Sequence, residues 1–141
     1  MPDTEPPNRV KLGPHTMELG ADGVCVMTLV GVLELQEAQR FAQEMTAFQD
    51  RHPKAILVLN MAEVATVKPE SRKAIMTGVR ERPYPVCFIQ ASFALRALMG
   101  LMLNALRILG SPMPHAFVDT EKEGRAWAKT VQATWDPAAS N

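Results

Sequence analysis

The chain has 141 residues, enough for one domain with a core that needs no staples. Fifteen basic residues balance fifteen acidic ones, so no field of one sign surrounds the molecule and a nucleic-acid reader is disfavoured. Two cysteines, Cys25 and Cys87, sit inside apolar runs and read as buried free thiols, not as a secreted disulfide framework.

Residues 1–14 are Pro-rich or polar and read as a flexible N-terminal tail; 15–135 read as a single domain and 136–141 as a second tail. The opening MPDTEPPNRV lacks the pattern of a signal peptide, and no run of about 18 apolar residues exists. No transmembrane segment is therefore expected, and the expected location is cytoplasmic. Met17-Glu18-Leu19 alternates like a half-exposed strand, and Ala21-Asp22-Gly23 is a turn signal. VCVMTLV (24–30) is apolar almost throughout, as a strand covered on both faces would be, and Gly31 is read as its end. Ala38, Phe41, Ala42, Met45 and Phe48 give a one-sided helical stripe over 36–51, stopped at His52-Pro53.

AILVL (55–59) is a second buried strand. Pro69 marks a helix start, where its missing N–H is harmless, and Ala74, Ile75, Met76 and Val79 supply that helix's inner face. VCFI (86–89) is a third buried strand, 93–109 a strongly apolar helix, and HAFV (115–118) the last strand. Thr120 and Glu123 form a capping box for a final helix presenting Trp127, Val131 and Trp135 on one face. The order β-β-α-β-α-β-α-β-α predicts an α/β fold: a mixed, mostly parallel five-stranded sheet with about four helices.

No enzyme motif is found. His15, His52 and His115 are scattered, lack metal-ligand spacing and read as surface or loop residues. Phosphate-cradling loops and a nucleophile elbow are absent, and both thiols lie in strand interiors. The chain therefore reads as non-enzymatic, with no catalytic residue, metal or cofactor assigned.

Two places stand out. Residues just past the ends of parallel strands gather at one rim, where open α/β domains bind ligands. That rim is expected to hold Asn60, Lys68, Glu70, Ser71, Arg72, Gln90, Ser92, Arg96, Asp119 and Thr120. Lys68 falls at a helix N-cap, a position that prefers Ser, Thr, Asp or Asn, and a phosphate on Ser71 would suit the helix dipole and Arg72. The second place is the helix at 93–109. Arg96, Gly100, Asn104 and Arg107 fall within roughly 80° of one another on a helical wheel, leaving an apolar arc of about 240°. Covering one sheet face requires only about 100°. Leu95, Met99, Met102, Leu103 and Leu106 are the candidate interface or ligand-binding residues, while Leu101 and Ile108 lie towards the other flank. A second protein chain, a small apolar ligand or neighbouring helices could each cover the surplus.

The segments GVLELQEAQRFAQEM, AILVLNMAEVATVKPESRKAIM, VCFIQASFALRALMGLM and HAFVDTEKEGRAWA, with their order, resemble the STAS domain. They look most similar to its SpoIIAA-like members, which share a shape with CRAL-TRIO lipid carriers. The resemblance implies a non-enzymatic regulatory or binding module. It also implies a serine, in a DSSG-like motif at a helix start, that a partner kinase phosphorylates. Here that stretch reads Lys68-Pro69-Glu70-Ser71: all four motif residues are replaced, and Glu70 falls at the phosphorylated position. The expected function is a protein-interaction module, self-associating as a homodimer through helix 93–109, without the phosphoserine switch. The alternative is a carrier or sensor of a small apolar or lipid-like ligand held between that helix and the sheet.

Overall fold

Strand side chains alternate between faces, so an unbroken apolar run is stable only where both faces are covered. The computed structural model, which describes residues 8–137, shows that arrangement. The strands are β1 (Asn8–Leu12), β2 (His15–Leu19), β3 (Val24–Leu33), β4 (Ile56–Val67), β5 (Val86–Ile89) and β6 (His115–Val118). The helices are α1 (Leu35–Arg51), α2 (Pro69–Glu81), α3 (Phe93–Ile108) and α4 (Glu121–Thr134). The strands form one sheet in sequential order, antiparallel from β1 to β3 and parallel from β3 to β6.

Right-handed crossovers that step always in one direction across a sheet place their helices on the same face. Accordingly α1, α2 and α3 share one face with Cys25, Met27, Leu57, Val86 and Phe88. Only α4, which follows the last strand, turns onto the other face, over Val24, Val26, Ile56, Val58, Cys87 and Ile89. Gly124 permits the close approach: a Cβ there would lie 3.1 Å from Val58 Cγ1. The far end of α4 is tied to the β2–β3 turn by Lys129 Nζ to Asp22 Oδ2 at 2.8 Å and by Gln132 Nε2 to the Asp22 carbonyl at 3.0 Å.

Three expectations are corrected. The sheet has six strands, not five, because NRVKL pairs with β2 as an edge strand inside the segment read as a tail. Residues 1–7 of that tail, and 138–141 of the C-terminal one, lie outside the described residues. Gly31 does not end β3. It adopts φ +72°, a conformation open to glycine at little strain, where the β3–β4 register shifts. Beyond that irregularity β3 and β4 run on together as far as Leu33 and Val67, so the strand read as 55–59 extends through Val67.

Candidate functional site

The structure separates the two flanks of α3. Leu95, Met99, Leu103 and Leu106 are buried towards the sheet and Met102 is half-buried. These five expected interface or ligand residues therefore face inward, and none is offered to another chain as an open surface. The outward flank carries Phe93, Leu101 and Ile108, with Leu109 at the C-cap; they are 89%, 70%, 71% and 52% exposed. They are the large apolar side chains found exposed among the described residues. Ala94 and Ala97 beside them are also exposed.

On the inner side, α2, α3 and the sheet do not close completely. A cavity of about 80 Å³ lies between them. Met99, Met102, Leu103 and Leu106 line it from α3, and Arg72, Ile75, Met76 and Val79, one face of α2 by their spacing, line it from the opposite side. Leu95 is buried but is not part of the lining. Six of the nine methionines (Met27, Met61, Met76, Met99, Met102 and Met113) surround the space. Methionine is unbranched and adaptable, so such a wall can reshape around a guest. Arg72 is the sole charged residue of the lining, and Tyr84 is the only other one with a polar side-chain group. Burial, reinforced by Cys25, pushes the Tyr84 phenol up, which keeps it neutral.

The expected polar rim is divided. Asn60 sits within β4, opposite Thr28 and Ile89, where its Oδ1 accepts the Ala62 N–H at 3.0 Å. Lys68 lies eight residues further on, roughly 25 Å along an extended strand. Lys68, Glu70, Ser71 and Arg72 thus belong to the far end of the β3–β4 ribbon. Lys68 Nζ meets Glu34 Oε1 at 2.7 Å, a partner that, with Glu70, holds the ammonium above its ordinary value. Glu70 is exposed in the first turn of α2. Ser71 is fully buried, and its Oγ donates to the Leu33 carbonyl at 2.9 Å. A phosphate on it would have to break that bond inside the core.

The remaining rim residues are engaged at the ends of β5 and β6. Ser92 caps α3 by accepting the Leu95 N–H at 3.2 Å. Arg96 Nε donates to the Ala91 carbonyl at 3.3 Å while its guanidinium covers the Phe117 ring. Gln90, at φ +54°, donates through Nε2 to the Asp119 carbonyl at 3.1 Å. Thr120 accepts the Glu123 N–H, whereas the Glu123 carboxylate takes the Asp119 N–H, one residue earlier than a standard capping box. Among the described residues no hydrogen bond or ion pair joins this group to Lys68, Glu70, Ser71 or Arg72.

One buried residue was missed. His15 is fully buried, contrary to its reading as a surface or loop residue. Its Nδ1 accepts the Val30 N–H at 3.0 Å, so Nε2 carries the proton and donates it to Glu37 Oε1 at 2.9 Å. The pair resembles a general-base dyad in its bonding but has no solvent-exposed atom on the histidine for a substrate to reach. It pins α1 to the irregular stretch of β3. The thiols are similarly withdrawn: burial, then Glu18, pushes Cys25 up to about 12, and burial, then Glu123, pushes Cys87 up to about 11. At neutral pH neither supplies thiolate. Among the described residues no group of three His, Cys, Asp or Glu side chains is placed to hold a metal ion, and no helix is long and apolar enough to cross a membrane.

No protein-family model and no curated protein matches the sequence. Solved structures do match. The anti-sigma factor antagonist SpoIIAA in its unphosphorylated form aligns with a TM-score of 0.61 at 11% identity, covering 82% of this chain and 97% of that one. A putative anti-sigma factor antagonist from Thermotoga maritima aligns with a TM-score of 0.55 at 14% identity, covering 80% and 92%. An uncharacterised DUF3478-family protein with a SpoIIAA-like fold, from Shewanella loihica PV-4, gives 0.54 at 11%, covering 79% and 89%. The chain has the SpoIIAA-like fold, as its sequence resemblance implies.

Proposed function

We propose that this SpoIIAA-like domain is a non-enzymatic regulatory module that works through protein contact and forms a homodimer through the outer face of α3. The observation that carries the reading is the exposed apolar stripe. Isolated exposed apolar residues are ordinary, but a contiguous set on one helix marks an interface. The stripe is also nearly symmetric about Leu101. Ala97 and Ala105 lie four residues to either side, Ala94 and Ile108 seven, and Phe93 and Leu109 eight. An antiparallel α3 pair on a twofold axis at Leu101 would set Leu101 against its own copy at the axis, Ala97 against Ala105 one turn to either side, and Phe93 against the other copy's Leu109. A closed twofold interface needs that self-complementarity. The regulatory part rests on the likeness of its fold to an anti-sigma factor antagonist and to a putative one. The absence of a phosphoserine switch is supported by Glu70 at the exposed position and by the burial of Ser71.

Sedimentation equilibrium tests the homodimer. A 16-residue helix offers a strip roughly 24 Å long, short of a standard interface, so micromolar rather than nanomolar association is expected. Leu101→Asp should make the protein monomeric while changing its unfolding free energy by no more than about 0.5 kcal/mol, because Leu101 is 70% exposed in the monomer. A wild-type chain that stays monomeric and soluble throughout the micromolar range would overturn the reading.

A second reading is favoured by a different observation, the methionine-lined cavity. The domain would then carry or sense a small apolar or lipid-like ligand between α3 and the sheet. The two readings use opposite flanks of α3 and are compatible.

A further inference from the structure

We propose that the cavity beneath α2 and α3 takes a slender alkyl chain ending in an anionic group, with the Arg72 guanidinium as the partner of that group. The inference rests on the ligand-carrying reading and adds the chemical class and the residue that selects it. Shape comes first. The lining runs from Leu33 and Val67, at the end of the β3–β4 ribbon, to Tyr84 and Val86, at the start of β5. A space of about 80 Å³ spread over that length is narrow. It is about half the roughly 150 Å³ of an engineered apolar cavity that admits benzene. So narrow a space suits the cross-section of a linear chain better than that of a ring, and the methionine wall must yield to take a chain of eight carbons.

Charge then fixes the polarity of the guest. Arg72 is the single charged residue of an otherwise almost wholly apolar wall, and it lies at the ribbon end. It is half-buried, and its Nη1 donates to the Val67 carbonyl at 3.2 Å. That bond anchors the side chain at the cavity and is its one hydrogen bond among the described residues, leaving the other guanidinium donors for an oxyanion. The planar fork matches a carboxylate or a phosphate and, with part of its surface shielded from water, binds it more strongly than an exposed lysine would. Entry is also provided for. Met76, Met102 and Met113, on α2, on α3 and before β6, are only half-buried, and their side chains can swing without moving the backbone.

The experiment titrates the full chain, carrying methyl-labelled methionine, with octanoate, octyl phosphate and octanol and follows the methionine methyl resonances. At least one of the two anions should shift the resonances of the cavity methionines and bind about tenfold more tightly than octanol, a difference set by one charge-assisted contact. Which anion wins distinguishes a carboxylate head from a phosphate head. Arg72→Gln should remove that advantage and leave octanol binding unchanged, which also shows that the cavity still forms; Arg72→Lys should keep part of it. Equal binding of all three probes, indifferent to Arg72→Gln, would overturn the assignment of Arg72 and leave the ligand-carrying reading standing. Failure of every probe to move the cavity methionines would overturn both.

Discussion

A single helix covers one face of the sheet, while three helices cover the other and leave a cavity. The difference lies in residue type more than in the number of covering elements. Beneath α4 the sheet presents Val24, Val26, Ile56, Val58 and Ile89, β-branched and stiff at χ1, and α4 answers with Gly124 and Ala128, which let the helix sit directly on them. Beneath α2 and α3 the facing residues include Met27, Met61, Met76, Met99 and Met102, flexible side chains that fill space without fixing its shape. One face sets the geometry of the domain. The other is built to adjust.

That contrast can be broken from the rigid side. Gly124→Val adds a branched side chain where even a Cβ would lie 3.1 Å from Val58 and 3.5 Å from Ile89, both of them fully buried. Destabilisation of about 1–3 kcal/mol is expected, read as a lower urea midpoint with an unchanged slope. On the adaptable side the same kind of change should behave differently. Val79→Leu adds one methylene to a side chain that lines the cavity, so stability should hold or rise by up to about 0.8 kcal/mol, the gain from one buried CH₂. The affinity for octanoate should fall in the same variant. If Val79→Leu destabilises as much as Gly124→Val, the two faces are equally tight and the contrast is lost.

The same distinction governs how much the sequence disclosed. Four helices and the parallel strands followed from periodicity, because amphipathic stripes and doubly buried runs are one-dimensional signals. Strand β1 did not: NRVKL offers only Val10 and Leu12 as apolar residues, which is all an edge strand needs. Gly31 was misread because a glycine within a strand register shift and a glycine ending a strand look alike until the partner strand is seen. The flank of α3 that faces the sheet could not be chosen, since both flanks are apolar and the choice is made by tertiary packing. For the same reason the expected residues fell on the inner flank and the exposed stripe on the other. His15 carried no signal at all. Its burial depends on the Val30 amide and the Glu37 carboxylate, 15 and 22 residues away, which only the fold brings to it. The abundance of methionine was legible; the gathering of six of them around one space was not.

The smallest expected effect tests how α4 is fastened to its face. Burial alone would raise the Asp22 carboxyl, but the Lys129 hydrogen bond and charge, with the Val24 amide, outweigh it and hold the group below its ordinary value. A carboxyl lowered in the folded state stabilises above its unfolded pKa, near 3.9, and that contribution is lost as the pH falls through the folded value. Both partners are more than a third exposed, at 40% and 58%, so screening by water limits the pair to a few tenths of a kcal/mol. Lys129→Met should therefore lower stability slightly at neutral pH and reduce the loss that sets in as the pH falls below about 4. Added salt should mimic the variant in the wild-type chain, since an exposed pair is screened and a packed Gly124 is not. A Lys129→Met protein that loses as much as Gly124→Val would mean that α4 is held by its charges and not by its fit to Val58 and Ile89.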